Sequence, residues 1–219
     1  MEFTALGRSN SHLSMLLEYL YQKHGNSFRL KIVENVSQQD SLPYDIYNLS
    51  KTVRVDDWTK NETDKYILGV YNPNPKELVF KFFFENYSID VNHYESIIYQ
   101  SAKISMSVSL SKSVFIGPSV TLAPFAKLDS FVSINRGVTI GHHTEIGQFT
   151  TINPGSNIAG CCNIGKNVLI GIGSTIIDGI EVGSGSIIGA GSVVTKSIPP
   201  DVVVYGVPAK IVRYQKKKS

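Results

Sequence analysis

The feature that most constrains this chain is a six-residue repeat that runs without insertion through its second half. From Ile104 every sixth residue is aliphatic: Leu110, Ile116, Leu122, Leu128, Ile134, Ile140, Ile146, Ile152, Ile158, Ile164, Ile170, Ile176, Val182, Ile188 and Val194. The residue after each is mostly small or turn-forming, as at Gly117, Asn135, Gly141, Gly147, Gly165 and Gly189. The fifth residue of the hexad is small or β-branched, as at Val120, Val138, Thr144, Thr150, Ser156 and Ser174. A period of six matches neither an amphipathic helix nor an alternating strand. It matches a solenoid in which each hexad is one short strand and one corner. The long aliphatic residue and the small fifth residue then fill the interior, and the Gly or Asn after the aliphatic is expected to take the strained corner. Three hexads close a triangular rung, giving about five rungs, each bonded to the next at roughly 4.8 Å. The repeat does not set the hand of the coil.

Composition narrows the class. The 219 residues suffice for one large or two small domains, no apolar run is long enough to span a bilayer, and no charged-then-apolar leader opens the chain. Two adjacent cysteines, Cys161 and Cys162, offer no disulfide framework; Cys162 falls on an inward position and Cys161 on a corner. The net charge of +3 is matched by Lys216, Lys217 and Lys218 alone, a tail that is either solvated or attractive to a polyphosphate ligand. The expectation is a cytoplasmic protein with no membrane span and no nucleic-acid partner. Asn135 and Asn153 share one column of the solenoid and read as a structural amide ladder.

Residues 1–99 lack the period and read as a small α/β domain. Glu2–Leu6 alternates as a strand, Gly7-Arg8-Ser9-Asn10-Ser11 is a turn, and His12–His24 carries Leu13, Leu16, Leu17 and Leu20 at helical spacing before Gly25. Phe28–Val33 is a second strand ending at Glu34-Asn35, Tyr66–Tyr71 a third, Asn72-Pro73-Asn74-Pro75 a break, and Lys76–Tyr87 a second helix. The first three elements form a βαβ unit whose polar loop abuts a helix N-terminus, a geometry suited to a nucleotide phosphate. Gly7, Arg8, Ser9, Glu34 and Asn35 are its candidate contacts. Only Gly7 remains of a Gly-x-Gly-x-x-Gly fingerprint, so a plain structural turn stands beside that reading.

Of five histidines, only His142 and His143 lie in the solenoid, at an outward corner where burial does not explain them. An imidazole there is either solvated or a general base; it is the side chain best suited to strip a proton near neutral pH.

The hexads, the Ser101-Ala102-Lys103-Ile104-Ser105 lead-in, Ile140-Gly141-His142 and Gly206-Val207-Pro208-Ala209-Lys210 together resemble the hexapeptide-repeat sugar acyltransferases. The similarity is to the sialic-acid O-acetyltransferases and the N-acetyltransferases of nucleotide-linked amino sugars, over nearly the whole chain. It implies a mainly β fold, a left-handed parallel β-helix preceded by a small α/β domain. Residues 1–99 would bind the nucleotide sugar, residues 100–198 form the acyltransferase solenoid, and residues 199–219 form a cap and basic tail. It implies transfer of an acetyl or other short acyl group from acyl-CoA to the amino group of a nucleotide-linked amino-deoxy sugar in bacterial glycan synthesis, by a homotrimer with sites between neighbouring solenoids.

The same resemblance makes His142 the catalytic base and gives His143 the supporting position usually held by Asp or Glu, a role open also to Glu145 or a neighbouring subunit's carboxylate. A second family histidine falls on Thr151. Gly160 corresponds to a glycine whose backbone N–H meets the acyl-CoA, Gly189 and Ala190 to a later CoA-contacting corner, and Lys210 and Arg213 to partners for its 3′-phosphate. The bland reading of these glycines is that the repeat demands small residues there.

Other readings are kept in view. Transfer to a sugar hydroxyl would use the same base. A zinc-dependent solenoid enzyme needs three convergent histidines, and two adjacent ones with no third do not supply them, so no metal is expected. A non-catalytic scaffold or ice-binding solenoid would favour flat threonine ladders and has no need of an N-terminal βαβ domain.

Overall fold

A computed structural model describes residues 1–35, 50–61 and 65–215. It divides into two compact units, Met1–Ile97 and Ile98–Ser219. Lys216, Lys217 and Lys218 lie outside the described residues.

In the first unit, β1 (Glu2–Leu6), β2 (Arg29–Glu34), β3 (Ser50–Arg54) and β4 (Lys65–Leu68) form a parallel sheet in the order β3-β2-β1-β4. Helix α1 (Asn10–His24) connects β1 to β2 and buries Leu13, Leu16, Leu17 and Leu20. It ends where Gly25 turns to φ 57 and returns its N–H to Tyr21 O at 2.8 Å. Helix α2 (Pro73–Tyr87) begins three residues earlier than the sequence predicts. The Asn-Pro-Asn-Pro stretch is the first turn of that helix, not a break: Asn72 is the N-cap, and prolines are tolerated where no backbone N–H is needed. Strand β3, Ser-Lys-Thr-Val-Arg, has no apolar alternation and is not expected from the sequence; it lies on an edge of the sheet. The third predicted strand is shortened to Lys65–Leu68. Gly69 follows it and passes so close to the Gly7 carbonyl that a side chain would not fit.

In the second unit, sixteen strands of two residues each run from Lys103–Ile104 to Val193–Val194, and every one ends on the aliphatic residue of its hexad. They stack in parallel at a constant offset of 18 residues, as in Thr139 with Asn157 and Ile140 with Ile158. Three sheets result. One contains Glu145–Ile146, the second Thr139–Ile140 and the third Thr151–Ile152. The third is extended by an antiparallel hairpin, Val202–Gly206 with Ala209–Tyr214, whose turn contains a cis Val207–Pro208 bond. Ile104 and Leu110 in the first rung are half-buried, and the aliphatic residue of every later hexad is buried. This column is the core of the unit.

The corners differ from the expectation in an instructive way. The left-handed residue is not the Gly or Asn that follows the aliphatic but the residue two places later: Phe125, Phe131, Gly137, His143, Phe149, Gly155, Cys161 and Asn167 all have φ between 56 and 67. The glycine after the aliphatic serves a separate purpose, close stacking of rungs. A Cβ on Gly147 would lie 2.8 Å from the Lys166 nitrogen one rung on. The inward fifth residues also do more than fill space. The hydroxyls of Thr144, Thr150 and Ser156 donate to the carbonyls of Ala159, Gly165 and Gly171 at 2.7–2.8 Å, satisfying groups that the corner turns inward. Asn135 and Asn153 do not form an amide ladder. Asn135 Oδ1 accepts from the Arg136 N–H at 2.7 Å, and Asn153 Nδ2 donates to Ile170 O at 2.9 Å, so each side chain holds backbone instead.

Candidate active site

The corner between Thr139–Ile140 and Glu145–Ile146 carries His142 and His143, both exposed. Thr144 beside them turns fully inward and, through its bond to Ala159 O, anchors the corner to the next rung. The His142 ring leans onto Gly160, the residue 18 positions later. A Cβ there would lie 2.7 Å from Nε2 and 2.8 Å from Cε1, so only glycine leaves room for the imidazole. The Gly160 N–H is not open to solvent: it donates to Asp178 Oδ1 at 2.9 Å, one rung further along the same column. Asp178 therefore holds the amide that the resemblance assigns to the thioester oxygen.

His142 Nδ1 faces His143 Nδ1 at 3.1 Å, with Cys161 Sγ 3.9 Å away. The His143 ring packs on Phe125 of the preceding rung, with centroids 4.9 Å apart. Phe125 is itself exposed and was not singled out from the sequence; its signal is that it occupies the column of His143. Glu145 is not in the cluster, because its Oε1 pairs with Lys127 Nζ at 2.7 Å on the neighbouring face.

The other predicted residues of the solenoid lie elsewhere. Thr151 is fully buried on the third sheet and does not reach the histidines. Gly189 and Ala190 sit on the corner between the third and second sheets, not on that of His142. A Cβ on Gly189 would lie 2.7 Å from Tyr205 Cβ, so rung packing alone accounts for it. Lys210 and Arg213 are exposed on the last strand of the hairpin, opposite Tyr205 and Val203. A shallow groove on the same kind of corner as Gly189 is lined by Pro118, Arg136, Gly137, Pro154 and Gly155.

In the first unit, Gly7, Arg8 and Ser9 follow β1, and Glu34 and Asn35 close β2, so all five lie at the carboxyl ends of parallel strands. The sheet order puts β2 and β4 on opposite sides of β1, the kind of switch point at which open α/β sheets bind ligands. Gly7 takes φ 79 and a Cβ on it would meet Val79 at 3.0 Å. Ser9 caps α1 through its backbone only, its carbonyl accepting from the Leu13 N–H at 2.9 Å, while its own N–H donates to Gly69 O at 2.9 Å. Arg8 is not held out to solvent. Its Nη1 forms an ion pair with Glu34 Oε1, both side chains are more than nine-tenths buried, and Nε donates to Asn10 Oδ1 at 2.9 Å. Beneath this turn lie two buried bases that the sequence did not flag. His12 contacts Leu68 O at 3.2 Å and is pushed down to about 3 by burial and by the nearby Lys76, so it stays neutral. Burial holds the Lys76 amine well below the usual lysine range.

Residues 161–196 match the family model for the bacterial transferase hexapeptide (six repeats). The structure is similar to a histidine-to-asparagine mutant of perosamine N-acetyltransferase from Caulobacter crescentus in complex with CoA and GDP-perosamine, with a TM-score of 0.77 at 21% identity over 97% of this chain and 96% of that one. WeeI from Acinetobacter baumannii AYE superposes with a TM-score of 0.82 at 20% identity, over 97% of this chain and all of the other. The acetyltransferase domain of PglB from Neisseria gonorrhoeae FA1090, in complex with acetyl coenzyme A, gives 0.78 at 20% identity over 96% and 98%. The fold is that of the hexapeptide-repeat acetyltransferases. Its solenoid is therefore the left-handed parallel β-helix that the resemblance implies. No curated protein matches the sequence.

Proposed function

We propose that this chain is an acyl-CoA-dependent N-acyltransferase that acetylates the amino group of a nucleotide-linked amino-deoxy sugar in bacterial glycan synthesis. The observation that carries the reading is the His142 corner, where an exposed imidazole is seated over a glycine, with Nδ1 held by a neighbour and Nε2 beside a backbone without a side chain. That is the arrangement a general base needs, oriented at one nitrogen and accessible at the other. In the reaction the acceptor nitrogen attacks the thioester carbonyl, the C–N bond forms and the C–S bond breaks. His142 Nε2 takes the proton lost by the amine, and that proton leaves on the CoA thiolate. His143 completes the catalytic pair. Gly160 belongs to this site because its missing side chain admits the His142 ring.

The solenoid supplies one half of a CoA site at the His142 corner and the other at the Gly189-Ala190 corner, which lie on different edges of one chain. A homotrimer brings such edges together between neighbours. Lys210 and Arg213 then serve the 3′-phosphate and the wall beyond Thr151 carries the pantetheine. The sugar nucleotide sits in the first unit, its phosphates at the start of α1 near Gly7 and Ser9. Glu34 and Asn35 face the nucleoside, and Arg8 steadies Glu34 rather than meeting phosphate. Support for this assignment comes from relatives of the same fold whose structures carry CoA and GDP-perosamine. No helix among the described residues is long and apolar enough to cross a membrane, in keeping with a cytoplasmic pool of both substrates.

The test is thiol release from acetyl-CoA with a panel of GDP-, UDP- and dTDP-linked 4-amino-4,6-dideoxyhexoses, beside the matching 4-hydroxy sugars. Release that requires the amino group supports the reading. Release with the hydroxy sugars alone makes the enzyme an O-acetyltransferase. A chain that neither binds acetyl-CoA nor releases thiol with any of them is not this enzyme.

A further inference from the structure

The two columns that pass through the histidine corner change character at His142. One runs Met106, Pro124, His142, Gly160, Asp178 and the other Ser107, Phe125, His143, Cys161, each step being the 18-residue offset between rungs. On the carboxyl-terminal side of the histidines these columns offer Gly160, Cys161 and Asp178, small or polar. On the amino-terminal side they offer Pro124, Phe125 and Met106, all exposed. Met106 is fully exposed and Phe125 is 54% exposed. Apolar residues scattered singly over a surface need no explanation. These three are contiguous in the columns of the candidate base and form a strip that leads up to it.

Neither the backbone nor the packing of the solenoid asks for an exposed ring at 125. Gly137, Gly155, Cys161 and Asn167 take the same place in the hexad with φ between 56 and 67, so the corner accepts residues of very different size. Phe131 and Phe149, also in that place, are buried. Phe125 packs on one side against His143, with centroids 4.9 Å and planes 31° apart. Its neighbour one rung earlier in the column is the small Ser107, whose Oγ accepts the Phe125 N–H at 3.1 Å. The ring is thus fixed by the rung beyond it and stays open to solvent.

Two reactants have to meet at His142. On the reading proposed above, Lys210 and Arg213 of the carboxyl-terminal hairpin serve the CoA 3′-phosphate, so the thioester reaches His142 from that end of the solenoid. The apolar strip is then left to the acceptor. A pyranose turns C–H groups outward from its ring faces, and the negative face of an aromatic ring attracts them. In a 4-amino-4,6-dideoxyhexose the amine and the methyl-bearing carbon are neighbours in the ring. With the amine at His142 Nε2, the methyl group comes over the residue one rung away, at about 4.8 Å.

We propose that Phe125, continued by His143, is the floor on which the acceptor sugar lies, and that it selects 6-deoxy acceptors over their 6-hydroxy counterparts. This rests on the acyltransferase reading and names a specificity residue within it. A methyl group on the ring removes apolar surface from water, whereas a hydroxymethyl group there gives up part of its hydration with no polar partner on the strip.

The experiment compares two acceptors that differ only at C6, a 4-amino-4,6-dideoxyhexose and the matching 4-amino-4-deoxyhexose, on the nucleotide that the panel selects. The parent is expected to favour the 6-deoxy sugar in kcat/KM on the order of 10–100-fold. Phe125→Asn removes the ring and suits the backbone, since Asn167 takes φ 57 in the equivalent place. It should shrink the preference to within about threefold, through a higher KM for the 6-deoxy sugar at unchanged KM for acetyl-CoA. Phe125→Tyr, which keeps the ring, should retain the preference. A parent that does not distinguish the two sugars overturns the proposal, and so does a Phe125→Asn variant with the parental preference. If that variant keeps the preference and instead loses its oligomeric state in analytical ultracentrifugation, the strip is a contact between copies of the chain and not a sugar floor. A parent that acylates neither amino sugar overturns the acyltransferase reading itself, and the floor with it.

Discussion

Two successive corners of one rung, at His142-His143 and at Gln148-Phe149, share a backbone and differ in what they expose. His143 and Phe149 occupy the same place in the hexad, with φ 56 and φ 61, and each packs on a phenylalanine one rung earlier. Phe149 stacks on Phe131 at 5.0 Å with planes 9° apart, both rings are buried, and Lys166 Nζ lies 5.5 Å from the Phe149 centroid. His143 and Phe125 stay exposed. The strained backbone of His143 is thus a property of the architecture, paid at each equivalent corner from Ser113 to Gly191, and says nothing about chemistry. What marks the histidine corner is exposure, the Nδ1 contact and a glycine placed to receive a ring. On the proposed reading the first corner meets a ligand, while the buried stack of the second holds rungs together.

Substitutions can break that contrast. The largest effect is expected from His142→Ala, which should lower turnover on the order of 10²–10⁴-fold with acetyl-CoA affinity nearly unchanged, because a base acts on the acceptor and not on the thioester. Thermal stability should match the parent. Turnover within a few-fold of the parent would erase the functional difference between the corners.

Next come the two aromatic columns. Phe149→Ala should cost about 3 kcal/mol of stability, since it empties a buried, stacked position. Phe125→Ala should cost under about 1 kcal/mol, since that ring is half in solvent. Denaturant midpoints of the two variants decide, and equal losses would mean that Phe125 is structural as well.

The two glycines give a finer version of the same test. A Cβ on Gly160 meets the His142 ring, a side chain that can swing away; a Cβ on Gly147 meets backbone of the next rung, which cannot. Gly160→Ala is therefore expected to cut kcat on the order of 10-fold or more while folding normally, by analogy with other losses of a supporting neighbour. Gly147→Ala is expected to lose roughly 1–3 kcal/mol of stability through overpacking, with kcat per folded molecule retained.

How far all this was readable from residues alone depends on the kind of order involved. The solenoid is legible because one rule, an aliphatic residue every six, decides sixteen strands at once, and because each strand is bonded to its copy 18 residues on. The conformation of each corner residue is not legible in the same way. Phe, His, Cys and Asn all accept the left-handed region there, so composition misdirects the eye to the glycines that serve close approach instead. In the first unit Leu13, Leu16, Leu17 and Leu20 announce α1, but β3 has no apolar pattern to find. Of the site, the two histidines stand out because nothing in the core explains them. Arg8 with Glu34 stays hidden altogether, whereas the 18-residue offset puts Asp178 with Gly160 and His143 with Phe125 in shared columns without showing that their groups meet. Those contacts depend on side-chain direction, which periodicity does not encode.

The smallest expected effect concerns Cys161 and Cys162, which carry the contrast between outward and inward into adjacent residues. Cys161 shares the column of Phe125 and His143 and is exposed, with its sulfur 3.9 Å from His142 Nδ1. Cys162 is in the inward fifth position; burial pushes its thiol up, and its sulfur contacts Ile177 O at 3.2 Å. A thiol reacts as the thiolate and only where reagent can reach it. Iodoacetamide should therefore label Cys161 and spare Cys162 in the folded protein, read by peptide mass spectrometry, and unfolding in urea should make the two equal. The carbamidomethyl group at 161 would crowd the His142 ring, so labelling should lower turnover, and acetyl-CoA should slow the labelling. Cys161→Ala, which removes the thiol without adding bulk, should change kcat by no more than about twofold, since its sulfur is a weak partner beside the His143 contact. Faster labelling of Cys162 would mean that this corner opens in solution. A Cys161→Ala variant as slow as His142→Ala would move its sulfur from bystander to participant in the chemistry of the corner.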